Sequence, residues 1–156
     1  MADVSFPSPF PSWHNDTYAT IDPTRSELSA KGKHIIITGG GSGIGPEIAR
    51  SFAKAGAKDI GIIGRTESTL RETKERLEKE FKDLSVYYAI ADVVDGDAVD
   101  AAFKTILAQN GGKIDILVSN AGYLPNPGSM KESLVSEWWK GYEVCLLISN
   151  GQRLRC

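Results

Sequence analysis

Cysteine, histidine and long apolar runs are scarce in this chain, and each scarcity excludes a class of protein. The two cysteines, Cys145 and Cys156, are too few for a disulfide framework, so a reducing, cytoplasmic setting is expected. His14 and His34 are isolated, so the spacing of a metal site is absent. No apolar run approaches the roughly 18 residues of a membrane span, and the first residues lack the pattern of a secretion signal.

Positive and negative charges are also nearly balanced. Lysine and arginine number 18 against 20 aspartate and glutamate residues, which gives a formal net charge of −2. Without a basic stripe, nucleic acid is not an expected partner, and without an apolar span neither is a membrane. At 156 residues, of which 41% are hydrophobic, the chain can bury the core of one domain.

Glycine, by contrast, is concentrated in one stretch. Five glycines occur from Gly39 to Gly45, after an apolar β-branched run that ends at Thr38 and before a helical pattern that starts at Pro46. Strand, glycine turn and helix in this order are typical of a phosphate site, because a ligand can approach the backbone N–H groups at the helix N-terminus. The helical pattern places Ile44 on its apolar face.

Apolar strands and amphipathic helices alternate along the rest of the chain. Such strands form a parallel sheet that helices cover on both faces, and right-handed crossovers order the strands 3-2-1-4. The predicted fold is α/β, a three-layer α/β/α sheet that ends after about the fourth strand and its helix. The pattern predicts strands at about 33–38, 59–63, 85–90 and 114–118, and helices at about 46–57, 68–82, 96–110 and 134–146.

Three segments differ in composition. Residues 1–30 form a polar, proline-bearing arm, residues 31–144 carry the alternating pattern, and residues 145–156 form a tail in which the helical pattern breaks off. The arm is expected either to fray or to lie across a neighbouring surface.

The residues with chemistry follow the carboxyl ends of the predicted strands. In a sheet of order 3-2-1-4, strands one and four flank a switch point, and ligands bind in the crevice beyond it. We therefore predict a cofactor site at this edge, with no metal ligand, formed by Thr38, Gly39, Gly41, Ser42, Gly43, Ile44, Gly45, Arg65, Thr66, Asp92, Val93, Asn120, Ala121 and Gly122.

Arg65 stands about twenty residues after the last glycine, where an NAD site usually offers a carboxylate to the ribose hydroxyls. A carboxylate would repel a 2′-phosphate, whereas an arginine fork grips one, so the position favours NADP by about ten- to a hundredfold. The alternative is a solvated side chain at a strand end. Asp92 either belongs to a turn or accepts a hydrogen bond from the adenine amine. Residues 120–122 either form an ordinary turn or, being small, leave room for a ribose.

Three motifs at these strand ends resemble those of the short-chain dehydrogenase/reductase family. The T-G-x-x-x-G-I-G pattern at 38–45 resembles the family's cofactor fingerprint. The D-V pair at 92–93 resembles its adenine-contact element, and N-A-G at 120–122 resembles the element that ends its fourth strand. The resemblance covers about residues 31–144 and implies a Rossmann-like fold that binds NAD or NADP.

The resemblance also implies a function. Members of the family pass a hydride between the cofactor and an alcohol or carbonyl carbon, and Arg65 implies NADP(H) as the cofactor. NAD stays possible, because Ser42 replaces a basic residue that is common in the glycine loop of NADP-preferring members. The family often has a subunit contact at the helix that carries Trp138 and Trp139, which makes a homo-oligomer possible.

The end of the chain departs from the family pattern. Cys145 takes the place of an asparagine, and the family's Tyr-x-x-x-Lys pair occurs nowhere in the sequence. Without that general acid, proton transfer loses a factor of about 10²–10⁴. The chain is therefore expected to be inactive alone, with its tail a misread splice boundary or a true short isoform. Because strand four would then be an apolar sheet edge, poor solubility or a partly molten state is also expected.

Two functions compete on these grounds. The first is an NADP(H)-dependent oxidoreductase of the short-chain dehydrogenase/reductase type, present as its cofactor-binding half and acting on an alcohol or carbonyl substrate. The second is a catalytically inactive NAD(P)-binding module that acts through protein contacts. A phosphate-loop NTPase is disfavoured because no Gly-Lys-Ser/Thr follows the glycines, and a methyltransferase because Arg65 replaces the acidic residue it would need.

Overall fold

The computed structural model describes residues 17–124, 129, 131 and 134–151, without the side chains of 146–151. Two short 3-10 helices, Ala19–Ile21 and Ser26–Leu28, come first in this part of the chain. Strands and helices then alternate: β1 His34–Thr38, α1 Gly45–Lys54, β2 Asp59–Gly64, α2 Glu67–Glu80, β3 Ser85–Ile90, α3 Gly96–Asn110, β4 Ile116–Val118 and α4 Val135–Gly151.

The described strands form one parallel sheet in the order β3-β2-β1-β4, which confirms the predicted order. Ile36 in the central strand β1 pairs with Gly61 of β2 on one side and with Leu117 of β4 on the other. The carboxyl ends of all four strands therefore meet along one edge of the sheet, where the helix-connecting loops begin.

Helices cover both faces of the sheet, as the alternation of strands and helices predicts. Ile35 and Ile37 of β1 pack with residues of α1 and α2, whereas Ile36 packs with residues of α3 on the opposite face. All three isoleucine side chains are fully buried, and each such burial stabilises the fold by about 1.5–3 kcal/mol. The predicted three-layer α/β/α architecture is confirmed.

Two helix predictions differ from the structure. Ile44 precedes α1 and is 73% exposed, so its predicted place on the apolar face of that helix is wrong. The expected break in the helical pattern at Cys145 is also wrong, because α4 continues to Gly151. Residues 145–151 are apolar or small-polar and contain no proline, so the local backbone allows a helix even where the family motif is lost.

Candidate functional site

A crevice of about 730 Å³ lies at the carboxyl ends of the strands, where the sequence predicts a cofactor site. Its walls come from the loops that follow β1, β2, β3 and β4, and from α4. Thr38 and Gly45 lie behind the wall, and both are buried. The predicted residues that line the crevice are Gly39, Gly41, Ser42, Gly43, Ile44, Arg65, Thr66, Asp92, Val93, Asn120, Ala121 and Gly122.

Thr38 ends β1 with a fully buried side chain. Its Oγ1 accepts hydrogen bonds from the backbone N–H groups of Asn120 and Ala121, both at 3.1 Å, and donates to the carbonyl of Val118 at 3.4 Å. One hydroxyl therefore fixes the turn that follows β4 against the end of β1. The structure places Thr38 as a support of the crevice wall, not on its surface.

Asn120 makes the reciprocal contact. Its Nδ2 donates to the carbonyl oxygens of Thr38 at 2.9 Å and Gly39 at 3.3 Å. The side chain thereby binds two successive backbone carbonyls at the end of β1. Residues 120–122 are compatible with both interpretations. These hydrogen bonds build the turn, and the small residues also line the crevice.

Glycines shape the loop between β1 and α1 for two different reasons. A Cβ on Gly45 would lie 2.1 Å from the carbonyl oxygen of Gly39, and one on Gly41 would lie 2.7 Å from Thr69 Oγ1. These positions are glycine because neighbouring atoms leave no room. Gly43 differs, because it has φ +62° and a Cβ there would meet nothing within 4 Å. Its backbone is therefore open to a ligand.

The N-terminus of α1 faces this loop. Ile44 is its N-cap residue and forms no side-chain capping bond, and Pro46 occupies the first turn. An uncapped helix N-terminus carries partial positive charge and backbone N–H groups that can bind a phosphate. The exposed Ile44 side chain lies at the mouth of the crevice and lines it with apolar surface.

Arg65 and Asp92 face each other across the adjacent ends of β2 and β3. Arg65 Nη1 lies 3.9 Å from Asp92 Oδ2, and the two side chains are 63% and 40% exposed. Asp92 Oδ1 accepts the Val94 N–H at 3.2 Å, so Asp92 does act as a turn residue. The turn leads to α3, whose N-cap residue, Asp95, accepts a hydrogen bond from the Ala98 N–H at 3.1 Å.

Tyr123, at the end of the β4 loop, connects the crevice to α4. Its hydroxyl donates to Glu137 Oε2 at 2.5 Å, and Lys140 Nζ binds the other oxygen of that carboxylate at 2.5 Å. The hydrogen bond to Glu137 raises the pKa of Tyr123. The pKa of Glu137 is lowered, mainly by the hydrogen bond from Lys140 and to a smaller extent by the one from Tyr123. These bonds fasten the crevice wall at Tyr123 to α4.

A family model described as short chain dehydrogenase matches residues 33–147. The chain belongs to the short chain dehydrogenase family. A short chain dehydrogenase of Aspergillus terreus is 37% identical over 135 residues, which cover 85% of this chain and 28% of that protein.

Solved structures agree with this assignment. The L-sorbose reductase from Gluconobacter frateurii, in complex with NADPH and L-sorbose, matches with a TM-score of 0.66 and 31% identity over 79% of this chain and 47% of that one. An alcohol dehydrogenase from Thermococcus sibiricus, in complex with 5-hydroxy-NADP, matches with a TM-score of 0.69 and 30% identity over 78% and 50%. The chain thus spans about half the length of these relatives, or less.

Sequence reasoning missed part of the crevice lining. Three of the missed residues adjoin predicted ones in the chain, so widening each motif by one position would have found them. The α4 residues had no such signal, because only the tertiary structure brings that helix to the strand ends. The missed lining residues are Gly64, Thr69, Ala91, Tyr123, Leu124, Val144 and Cys145.

Across the residues that the structure describes, no group of histidine, cysteine, aspartate and glutamate side chains could hold a metal ion. No helix in the same part of the chain is long and apolar enough to cross a membrane.

Proposed function

We propose that this chain binds NADP(H) in the crevice and forms the cofactor-binding part of an oxidoreductase that acts on an alcohol or carbonyl substrate. Arg65 is the observation that carries the proposal. Its guanidinium lines the crevice at the end of β2, is 63% exposed, and stands where a carboxylate would select NAD. An arginine fork there matches the geometry of a 2′-phosphate.

Two related structures contain a cofactor of this type. The L-sorbose reductase structure contains NADPH and the alcohol dehydrogenase structure contains 5-hydroxy-NADP, at 31% and 30% identity to this chain. Both relatives are named for reactions of alcohols or carbonyl compounds, which is the substrate class proposed here.

Each part of the crevice has a task in this proposal. NADP(H), when bound, supplies hydride chemistry. The open backbone at Gly43 and the N-terminus of α1 hold the pyrophosphate, and Arg65 binds the 2′-phosphate. Thr38 and Asn120 keep the β4 turn in place, so that Ala121 and Gly122 leave room for a ribose.

Titration of the purified chain with NADPH and with NADH tests the proposal, with cofactor fluorescence and tryptophan quenching as readouts. We expect NADPH to bind more tightly, and Arg65→Glu to weaken NADPH by at least about tenfold while NADH changes little. Arg71→Glu is the matched control, because Arg71 is an exposed residue of α2 outside the crevice. Equal affinities in the unmodified chain would remove the role of Arg65.

Cys145 provides a second readout that does not depend on fluorescence. Its exposed thiol lines the crevice on the α4 side. In a Cys156→Ser background, bound NADPH should slow the labelling of Cys145 by a thiol reagent. Unchanged labelling at saturating NADPH would place the nucleotide elsewhere and contradict the proposed site.

A further inference from the structure

The crevice has almost no net charge of its own. Among the described residues that line it, Arg65 and Asp92 are the two with charged side chains, and they carry opposite signs. Arg65 Nη1 lies 3.9 Å from Asp92 Oδ2. The cation that would select a 2′-phosphate is therefore already beside an anion.

Backbone structure keeps these two residues together. β2 and β3 are in parallel register up to the pair Gly64 and Ile90, and the Ala91 N–H donates to the Gly64 carbonyl at 2.9 Å. The chain positions that follow, Arg65 and Asp92, must therefore leave the sheet side by side. The Val94 N–H binds Asp92 Oδ1 and so orients the other carboxylate oxygen towards Arg65.

We propose that Asp92 is a specificity-determining residue that limits the preference of this crevice for NADP(H) over NAD(H) by opposing Arg65. The inference rests on the proposed function, since it concerns the selectivity of the same nucleotide site. The structure thus assigns Asp92 a role in discrimination besides its role in the turn.

The physical reason is competition for one guanidinium. A 2′-phosphate dianion must displace the Asp92 carboxylate from the Arg65 guanidinium or share the guanidinium with it. The carboxylate also repels the phosphate directly. NADH carries no 2′-phosphate, so neither effect lowers its binding affinity. We therefore expect NADPH to be preferred by less than about tenfold, below the ten- to hundredfold range of an unopposed arginine.

Asp92→Asn tests the inference, because asparagine keeps the Oδ1 acceptor for Val94 and removes only the charge. We expect NADPH to bind about two- to fivefold more tightly and NADH to be unchanged. The gain should shrink in high salt, and it should also be smaller when Arg65→Gln is added, because only the direct repulsion of the phosphate by Asp92 is then left to relieve. Asp97→Asn is the matched control, since Asp97 is an exposed carboxylate of α3 that does not line the crevice.

The other outcomes overturn the inference in distinct ways. Equal weakening of NADPH and NADH by Asp92→Asn would make Asp92 an acceptor for the adenine base, which both cofactors share. An unchanged ratio, or an equal gain from Asp97→Asn, would leave Asp92 without a role in selectivity. If neither cofactor binds to the folded, unsubstituted chain, the proposed function itself fails. Asp92→Ser, which retains an oxygen acceptor, repeats the test should Asp92→Asn not fold.

Discussion

Gly45 begins α1 so close to the preceding loop that a Cβ would lie 2.1 Å from the carbonyl oxygen of Gly39. Gly39 itself has φ +68°, and its own Cβ position is 2.9 Å from the Cα of Ala121. The loop after β1, the start of α1 and the turn after β4 are therefore packed backbone against backbone. A single added Cβ atom at Gly39 or Gly45 would therefore change the shape of the crevice.

We expect Gly45→Ala to lower the free energy of unfolding by about 3 kcal/mol, because backbone atoms on both sides must move to admit the methyl group. Gly96→Ala is the matched control: Gly96 begins α3, and nothing lies within 4 Å of its Cβ position. That substitution should be neutral or stabilising by up to about 1 kcal/mol. Urea unfolding measures both, and similar values for the two variants would contradict the packing argument.

The two edges of the described sheet are built differently. At the β3 edge, Glu78 of α2 accepts the Val86 N–H at 3.0 Å, and Lys74 donates to the Val86 carbonyl and lies 2.6 Å from Glu78. An ion pair on the neighbouring helix thus occupies backbone groups that an exposed edge would offer to another strand. At the β4 edge, Ile116 to Val118 are half-buried.

Removing the Glu78 carboxylate should open the β3 edge locally. We expect Glu78→Ala to accelerate amide hydrogen exchange at Val86, because its N–H loses its acceptor, and to cost about 0.5–1.5 kcal/mol of stability. Glu75→Ala, an exposed position on the same helix, is the control and should leave Val86 protected. Equal exchange at Val86 in both variants would show that the carboxylate does not protect this edge.

Over the whole molecule, large apolar side chains stay exposed on α4. Trp138, Trp139 and Tyr142 are 53%, 54% and 43% exposed, and the two tryptophan rings lie 4.5 and 6.2 Å from the ring of Tyr142. Leu124, beside the crevice, is 89% exposed as well. Exposed clusters of large apolar side chains are typical of surfaces that contact other chains.

We expect the chain to associate as its concentration rises and to bind a hydrophobic dye, because this surface remains in contact with water. Paired Trp138→Glu and Trp139→Glu substitutions should return it towards the 16.9 kDa monomer in sedimentation experiments. Ile21→Glu, at a site 53% exposed and outside α4, should not. A monodisperse monomer with a sharp, reversible unfolding transition would contradict both this expectation and that of a partly molten state.

Local sequence was enough to predict the layers, the strand order and most of the crevice. Strand and helix periodicities are properties of neighbouring residues, and right-handed crossovers with helices on both faces of the sheet favour the order 3-2-1-4. Because parallel strands end at the same edge, residues as distant as Gly43 and Gly122 could be assigned to one site from the sequence alone.

Contacts between distant residues required the tertiary structure. Thr38 and Asn120 are 82 positions apart, and nothing local indicates that their side chains bind each other's backbone. Arg65 meets Asp92, and Tyr123 meets Glu137, only because strand register and helix packing bring them within reach. Sequence periodicity determines which residues lie at each strand end, but the direction of a side chain depends on hydrogen-bond partners that only the folded chain supplies.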